Sequence, residues 1–306
     1  MARYLIKRLL TIIPTIIGVV TMVFFLVHLI PGDPVTVMLG EHAMAVEKAA
    51  LRHQLGLDQP LLNQYVLFLK GIFHGNLGSS IFYRLPVSSV IADRLPATII
   101  LAAAAMGVAL LIALPLGILA GCRQYSAIDN FSMFFSLMGI SMPNFWLGPL
   151  LIITFSIKLD WLPVSGMDSL KSLILPAITL GTALAAILSR MTRSSLLEVI
   201  SQEYLTAARA RGLPDWRVLM KHALKNALLP VVTIIGLQFG ALLSGAIVTE
   251  KVFSWPGIGS LLIQAVFTRD YPMVQGCILV ISFCYIIANV TTELFYALID
   301  PRIRYE

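Results

Sequence analysis

ATIILAAAAMGVALLIALPLGILA, residues 97–120, contains no charged side chain. A helix needs about 20 predominantly apolar residues to cross a bilayer, so this stretch is long enough on its own. The rest of the chain resembles it. Of 306 residues, 58% are hydrophobic and 12% charged, against about 25% charged in a soluble domain; mean hydropathy is +0.86. Working outward, residues 9–30, 131–157, 173–191, 228–249 and 273–299 are further apolar runs of spanning length. The sequence therefore predicts an all-α polytopic membrane protein with six transmembrane helices. Prolines 14, 115, 143, 149 and 176 fall inside or at the ends of these runs. Neighbouring helices can satisfy the carbonyls that prolines free in lipid, so they do not veto the spans.

The first run follows Arg3, Lys7 and Arg8. It begins like a signal peptide, but it is too long and no small-x-small cleavage site follows, so it reads as a retained anchor. Placing the N-terminus inside brings the C-terminus to the same side after six crossings. The same topology puts Arg190, Arg193, Arg209, Arg211, Arg217, Lys221, Lys225, Arg302 and Arg304 in the cytoplasm, while acids and bases balance in the outer loops. Positive-inside topology thus accounts for the net charge of +6, and nucleic acid is not required. The reading is a polytopic membrane protein with both termini cytoplasmic.

Residues 31–96 form the one large polar excursion. AVEKAALRHQL (residues 45–55) is amphipathic, LDQPLLNQYVLFLKGIF (residues 57–73) has aspartate and proline where a helix can start, and HGNLGSS (residues 74–80) is a turn cluster. This predicts a small helical extracytoplasmic cap between helices 1 and 2. It divides the chain into residues 1–96, anchor plus cap, and residues 97–306, the core transmembrane domain. His42, His53 and His74 have no metal-ligand spacing and read as solvated loop residues, so no metal site is expected. Cys122, Cys277 and Cys284 read as small packing residues rather than a disulfide framework.

Three ladders of small residues recur every four positions: Ala109, Ala113, Gly117 and Gly121; Ala177, Gly181, Ala185 and Ser189; Gly236, Gly240 and Ser244. Such faces let helix backbones approach closely, either within one chain or against another membrane subunit. His28 and Glu293 lie near span ends and read as interfacial, with Glu293 in reach of Arg302 or Arg304. Asn144 and Gln238 lie deeper. They line a polar path or form an interhelical hydrogen bond, and with Ser244 they are the translocation-pathway candidates.

Catalytic patterns are missing. HExxH, GxSxG, CxxC and the GxxxxGK[ST] phosphate loop do not occur, and SWPGIGS (residues 254–260) does not complete GxGxxG and reads as a turn. No catalytic residue and no cofactor are expected in this chain.

EYLTAARARGLPDWRVLMKHALKNALLPVV, residues 203–232, separates spans four and five. It is too long for a simple helix–helix connection, for which about 2–8 residues suffice. TAARA is small and helix-forming, Gly212 breaks it, Leu213-Pro214-Asp215 restarts it, and helical periodicity resumes before Pro230. A projecting helix–turn–helix with a small-residue face and basic rims suits a groove on an acidic partner. Headgroup binding by a positive-inside loop would need the bases alone.

This segment resembles the cytoplasmic loop of permeases of ABC importers, and in particular of the dipeptide/oligopeptide/nickel family that includes the glutathione permeases. The importer pattern of Glu-Ala-Ala, three residues and Gly falls on Thr206, Ala207, Ala208 and Gly212. Threonine replaces the usual glutamate, and the later proline is displaced to Pro230. The peptide branch's ARAKG form is matched by Ala208-Arg209-Ala210-Arg211-Gly212. The likeness continues along the chain in LIPGDPV (29–35), LGLDQPLLNQY (55–65), SMPNFWLG (141–148), SRMTRSSLLEV (189–199), KHALKNALLPVVT (221–233), EKVFSWPGIG (250–259), RDYPMVQG (269–276) and DPRIRY (300–305).

The resemblance implies a type I importer permease fold, with a coupling region at residues 203–226 in which Thr206, Ala207, Ala208, Arg209, Arg211 and Gly212 meet an ATPase. It implies a second permease subunit, usually a paralogue, two ATPases that bind ATP and Mg, and an extracytoplasmic binding protein. The mechanism would be alternating access and the cargo di- or oligopeptides, with glutathione or a nickel chelate as the alternatives. A self-sufficient secondary transporter is the rival of another class. It would need its own coupling-ion groups in the membrane, and no such charge network is visible.

Overall fold

A computed structural model describes the backbone of residues 2–29, 34–40, 42–54 and 56–299, and the side chains of 12–25, 35–36, 39–40, 42–53, 56–243 and 246–292. Helices dominate: α1 (Ala2–Leu29), α2 (Pro34–Leu39), α3 (Ala45–Gln54), α4 (Leu61–Phe73), α5 (Val87–Cys122), α6 (Ala127–Ser141), α7 (Asn144–Leu151), α8 (Ile174–Ile200), α9 (Glu203–Ala210), α10 (Asp215–Arg217), α11 (Leu224–Gly245), α12 (Ile247–Val252), α13 (Ile258–Phe267) and α14 (Tyr271–Ile299). The one isolated bridge among the described residues joins Ser79 and Pro86. Four helical stretches, Val87–Cys122, Leu170–Ile200, Asp215–Leu243 and Tyr271–Thr292, are long and apolar enough to cross a membrane, and a fifth span is broken. The sequence's first span coincides with α1, whose described apolar stretch, Ile12–Phe25, is shorter.

The broken span corrects the expectation of a straight helix over residues 131–157. Helices α6 and α7 meet at 102°. Pro143 disfavours the α region for the residue before it, and Met142 accordingly takes φ −90°, ψ 113°. Beyond α7 the chain continues as a π-helical stretch, Ile152–Lys158. Helix α5 also departs from its predicted start. Its 36 residues run about 54 Å at 1.5 Å per residue, well beyond a hydrocarbon core of about 30 Å. The predicted span at residues 97–120 is thus the apolar part of a longer helix.

The chain divides into two compact units, residues 1–98 with 256–284, and residues 99–255 with 285–306. In the first, Val87, Val90 and Ile91 of α5 pack with Ile258, Leu261 and Ala265 of α13 and Met273, Val274 and Cys277 of α14. Asp270, 1% exposed, organises the polar side of this core. Ser80 Oγ donates to its carboxylate. So do the backbone N–H groups of Ile81 at 3.1 Å, Phe82 at 3.1 Å and Met273 at 3.3 Å. Hydrogen bonds to a charged group contribute about 1.5–3 kcal/mol each, so one carboxylate both caps α14 and fixes the 80–82 turn. Thr98 Oγ1 accepts the Ile258 N–H at 2.9 Å, satisfying a first-turn donor of α13. The predicted helices over 45–55 and 57–73 appear as α3 and α4. Helix α4 rests on α1 through Tyr65 Oη and Thr21 Oγ1, 2.6 Å apart, and through the Tyr65 and Phe68 rings on Phe24.

In the second unit α8 is the common partner. Its apolar window is 67% buried, against 22% for the Asp215–Leu243 stretch, which makes it the axis of the unit. The small-residue ladders explain how. A Cβ at Gly117 would lie 2.7 Å from Ser189 O and 2.6 Å from Thr192 Cβ, one at Gly121 2.9 Å from Leu196 Cδ2, and one at Gly181 2.8 Å from Ala105 O. Those contacts join α5 to α8. Gly236 of α11 faces Thr292 of α14, and Gly240 approaches Tyr285 and Asn289. The choice the sequence left open is settled for these glycines: they are used inside the chain. Cys122, expected to pack, is exposed at the end of α5.

Candidate functional site

Helix α8 ends at Ile200, and the chain reverses through Ser201 and Gln202. Ser201 Oγ donates to Glu198 O at 2.8 Å and Gln202 N to Val199 O at 3.1 Å, which satisfies two of the last carbonyls of α8. Helix α9 follows, with Glu203 in its first turn, where a carboxylate suits the positive end of the helix dipole. Its seventh and eighth residues lead to Arg211, whose N–H reaches Ala207 O at 3.2 Å, and to Gly212, whose N–H reaches Arg209 O at 2.9 Å. Gly212 takes φ +79°, a left-handed conformation that glycine adopts without the Cβ penalty. Pro214 then starts α10, and a π-helical stretch, Val218–Ala223, carries the chain into α11.

One face of this projection is anchored. Leu205 is fully buried in a cluster with Leu196, Val218, Ala223, Leu224 and Ala227. Tyr204 Oη accepts from Asn226 Nδ2 at 2.8 Å, tying α9 to α11. The other face is open. Thr206, Ala207, Arg209, Ala210, Arg211 and Gly212 are exposed and Ala208 is half-buried. Beside them Trp216 and Met220 are 63% and 60% exposed. Arg209 Nε lies 3.3 Å from Asp215 Oδ1, and the Arg217 guanidinium lies 5.4 Å from the Trp216 ring. The result is a small-residue ridge flanked by cations and two large apolar side chains, held from below by Leu205. Such a surface can enter a protein groove.

All six sequence-predicted coupling residues therefore lie on α9 and the Gly212 turn that ends it. The pathway candidates do not form a comparable cluster. Asn144 opens α7 directly after the 102° break and is half-buried, and Gln238 is half-buried on α11. The side chains of Ser244, His28 and Glu293, and residues 300–306, lie outside the described residues. On α14, buried Asn289 Oδ1 has no hydrogen-bond partner. No group of three His, Cys, Asp or Glu side chains is arranged for a metal among the described residues. His53 instead bonds Asp58, Nδ1 to Oδ2, at 2.6 Å. That hydrogen bond, then the carboxylate's charge, raises the His53 pKa, and the same bond lowers that of Asp58.

Sequence reasoning missed an ion pair at the start of α6. Asp129 is buried and receives Arg193 Nε on Oδ1, Arg193 Nη2 on Oδ2 at 2.7 Å, and the Tyr125 N–H on Oδ2 at 2.9 Å. Ser126 caps the helix by accepting from Asp129 N at 3.3 Å. Half of this was readable, because Ser126-Ala127-Ile128-Asp129 is a Ser-x-x-Asp capping pattern. The partner on α8 was not.

Comparison with known proteins adds the following. Residues 113–305 match the family described as binding-protein-dependent transport system inner membrane component. Residues 1–102 match its N-terminal membrane component. The glutathione transport system permease protein GsiC of Escherichia coli (strain K12) is 45% identical over 306 residues, covering 100% of both chains. Its counterpart in Salmonella typhimurium (strain LT2) is also 45% identical over 100% of both. Among solved structures, the inward-facing MetNI methionine ABC transporter gives a TM-score of 0.56 at 18% identity, covering 70% of this chain and 97% of that one. An amino acid ABC transporter with histidines gives 0.53 at 16%, covering 70% and 94%. These two likenesses concern the fold alone.

Proposed function

The chain belongs to the family of inner membrane components of binding-protein-dependent transport systems, in its dipeptide/oligopeptide/nickel branch, and from that premise we propose that it forms half of a translocation pathway for short peptides. It is a permease subunit of an ABC importer with the type I permease fold. ATP hydrolysis belongs to two separate ATPase subunits, which bind ATP and Mg, and a second permease, a paralogue, completes the pathway. Both termini are cytoplasmic, and the 31–96 segment is an outer cap on an anchor distinct from the core. That cap and the 250–271 segment meet the binding protein. Asn144, Gln238 and Ser244 line the path.

The observation that carries this reading is the α9–Gly212 turn. Thr206, Ala207, Arg209, Arg211 and Gly212 form an exposed ridge, and Ala208 beneath them packs with Leu205 on the anchoring cluster. Closure of the ATPase pair on ATP moves this ridge, and the spans turn from inward-facing to outward-facing. A ligand shifts such an equilibrium only by its different affinity for the two states, so ATP acts through the ATPases and cargo through the binding protein.

Glutathione is itself a tripeptide, so the names of the 45% identical relatives favour cargo of one chemical class, short peptides with glutathione included. A nickel chelate falls outside that class. Uptake of labelled dipeptide, glutathione and nickel–histidine by the reconstituted importer separates them.

The deciding experiment is mass spectrometry of what co-purifies with the tagged chain in mild detergent. An ATPase carrying a phosphate loop is expected with the wild type. Ala207→Arg, which enlarges the exposed face without touching the Leu205 anchor, and Gly212→Arg should both lose it while the chain remains inserted. Wild-type uptake in either variant overturns the assignment. Uptake into sealed vesicles by the chain without ATP would make it a secondary transporter.

A further inference from the structure

The seam between α6 and α8 is built mostly from small groups. Ser132 and Ser136 are buried on α6, Ser136 Oγ lies 2.8 Å from Ser189 Oγ, and a Cβ at Gly139 would lie 2.9 Å from Ala186 Cβ. Serine, glycine and alanine contacts of this kind permit small shifts of one helix along the other. The Asp129–Arg193 pair does not. Two parallel N–H···O bonds from one guanidinium fix the relative orientation of the two helices. Asp129 is buried and Arg193 half-buried; an ion pair taken out of water adds little stability over apolar packing of the same volume, and its best-attested use is to set registry.

Location gives that registry a purpose. Arg193 lies about two turns before the end of α8, and α8 passes through Ser201 and Gln202 directly into α9. The opposite end of α6 is the 102° break at Met142–Pro143. Helix α6 is thus clamped to the coupling end of α8 at one terminus and hinged at the other.

We propose that Asp129 and Arg193 are positioning residues that pass movement of α9 to the broken span, so that α7 and Asn144 move when the ATPases close. This rests on the importer reading above. Without the pair, α9 would still dock and move, but α6 would slip along its serine-lined seam and the pathway would not follow.

The test uses the assembled importer with its binding protein in proteoliposomes, in a cysteine-free background. One fluorophore at Ala210→Cys reports α9, and in a separate sample one at Trp146→Cys reports α7. Each is followed on addition of a non-hydrolysable ATP analogue, alongside ATP consumed per labelled glutathione or dipeptide imported. In the otherwise wild-type importer both positions should respond. In Asp129→Asn the α9 response should persist and the α7 response vanish, with ATP consumed per substrate rising about tenfold, the scale of mutations that alter coupling. Arg193→Lys keeps the charge but loses the fork and should show the same separation more weakly. It also decides the matter if Asp129→Asn does not assemble. Responses at both positions in an assembled variant, or loss of both, overturn the proposal, since the pair would then be dispensable or merely structural. Silence at both positions in the otherwise wild-type protein refutes the importer reading itself.

Discussion

At Gly212 the chain takes φ +79°, and beyond the adjacent residues nothing lies within 4 Å of the point where a Cβ would sit; the constraint is the backbone and not the space. A left-handed L-residue costs about 1–2 kcal/mol, and asparagine visits that region more readily. Gly212→Ala should therefore speed hydrogen exchange of the α9 amides about 5- to 30-fold, with Gly212→Asn between the two. Leu205 presents the opposite case, full burial with ordinary geometry. Leu205→Ala should cost about 2–5 kcal/mol, and on the importer reading the measurable result is loss of the co-purifying ATPase from a chain that still inserts. His53 and Asp58 are exposed and titrate visibly. Because the His53 pKa is raised, its share of the pair's stability is present below 6.5 and lost as pH rises through the folded value. Because that of Asp58 is lowered, its share is present above 3.8 and lost as pH falls through the folded value. The α3–α4 junction should be most protected between those limits. An NMR titration should give His53 a pKa above 6.5 that Asp58→Asn returns toward it.

Glycines of similar context in α5 differ sharply as helix-packing elements. At Gly117 a methyl group would meet Ser189 O, a backbone atom that cannot rotate away, whereas at Gly107 it would meet nothing within 4 Å. Gly117→Ala should lower the thermal midpoint of the detergent-solubilised complex, since overpacking costs about 1–3 kcal/mol. Gly107→Ala should leave it unchanged or raise it. The α6–α7 break follows the same logic of local geometry. Removing the restriction on Met142 by Pro143→Ala should let the two helices approach a single rod, detectable as a longer label-to-label distance across the break. The sequence announced these elements unevenly. Apolar runs marked the spans because lipid demands length, and Ala45 and Leu61 were marked as helix starts by periodicity and turn residues. Pro143 was ambiguous because a proline in lipid is tolerated straight or bent, and only packing decides. Which face each glycine ladder meets was likewise undetermined, because association within a chain and between chains relies on the same close approach.

For the whole molecule, the contrast in burial between α8 and α11 states what the chain lacks. Leu237 on α11 is 45% exposed, whereas Leu188 on α8 is fully buried, and an apolar surface of that kind needs lipid or another subunit over it. On the importer reading, Leu237→Cys should cross-link to the second permease in native membranes, and Leu188→Cys should not. The helix–turn–helix around Gly212 was legible because its turn signals are contiguous in sequence. The Asp129–Arg193 pair was not, because its members are 64 positions apart and nothing in either local stretch names the other. That separation has a temporal side. A ribosome adding about 5–20 residues per second delivers Arg193 about 3–13 s after Asp129. Throughout that interval the nascent α6 holds a carboxylate whose counter-charge has not been synthesised, and its buried site cannot yet exist. Until α8 arrives the carboxylate, in the first turn of α6, can stay solvated by water. Slowing translation between these two codons should therefore postpone formation of the pair by the added time without changing the finished protein.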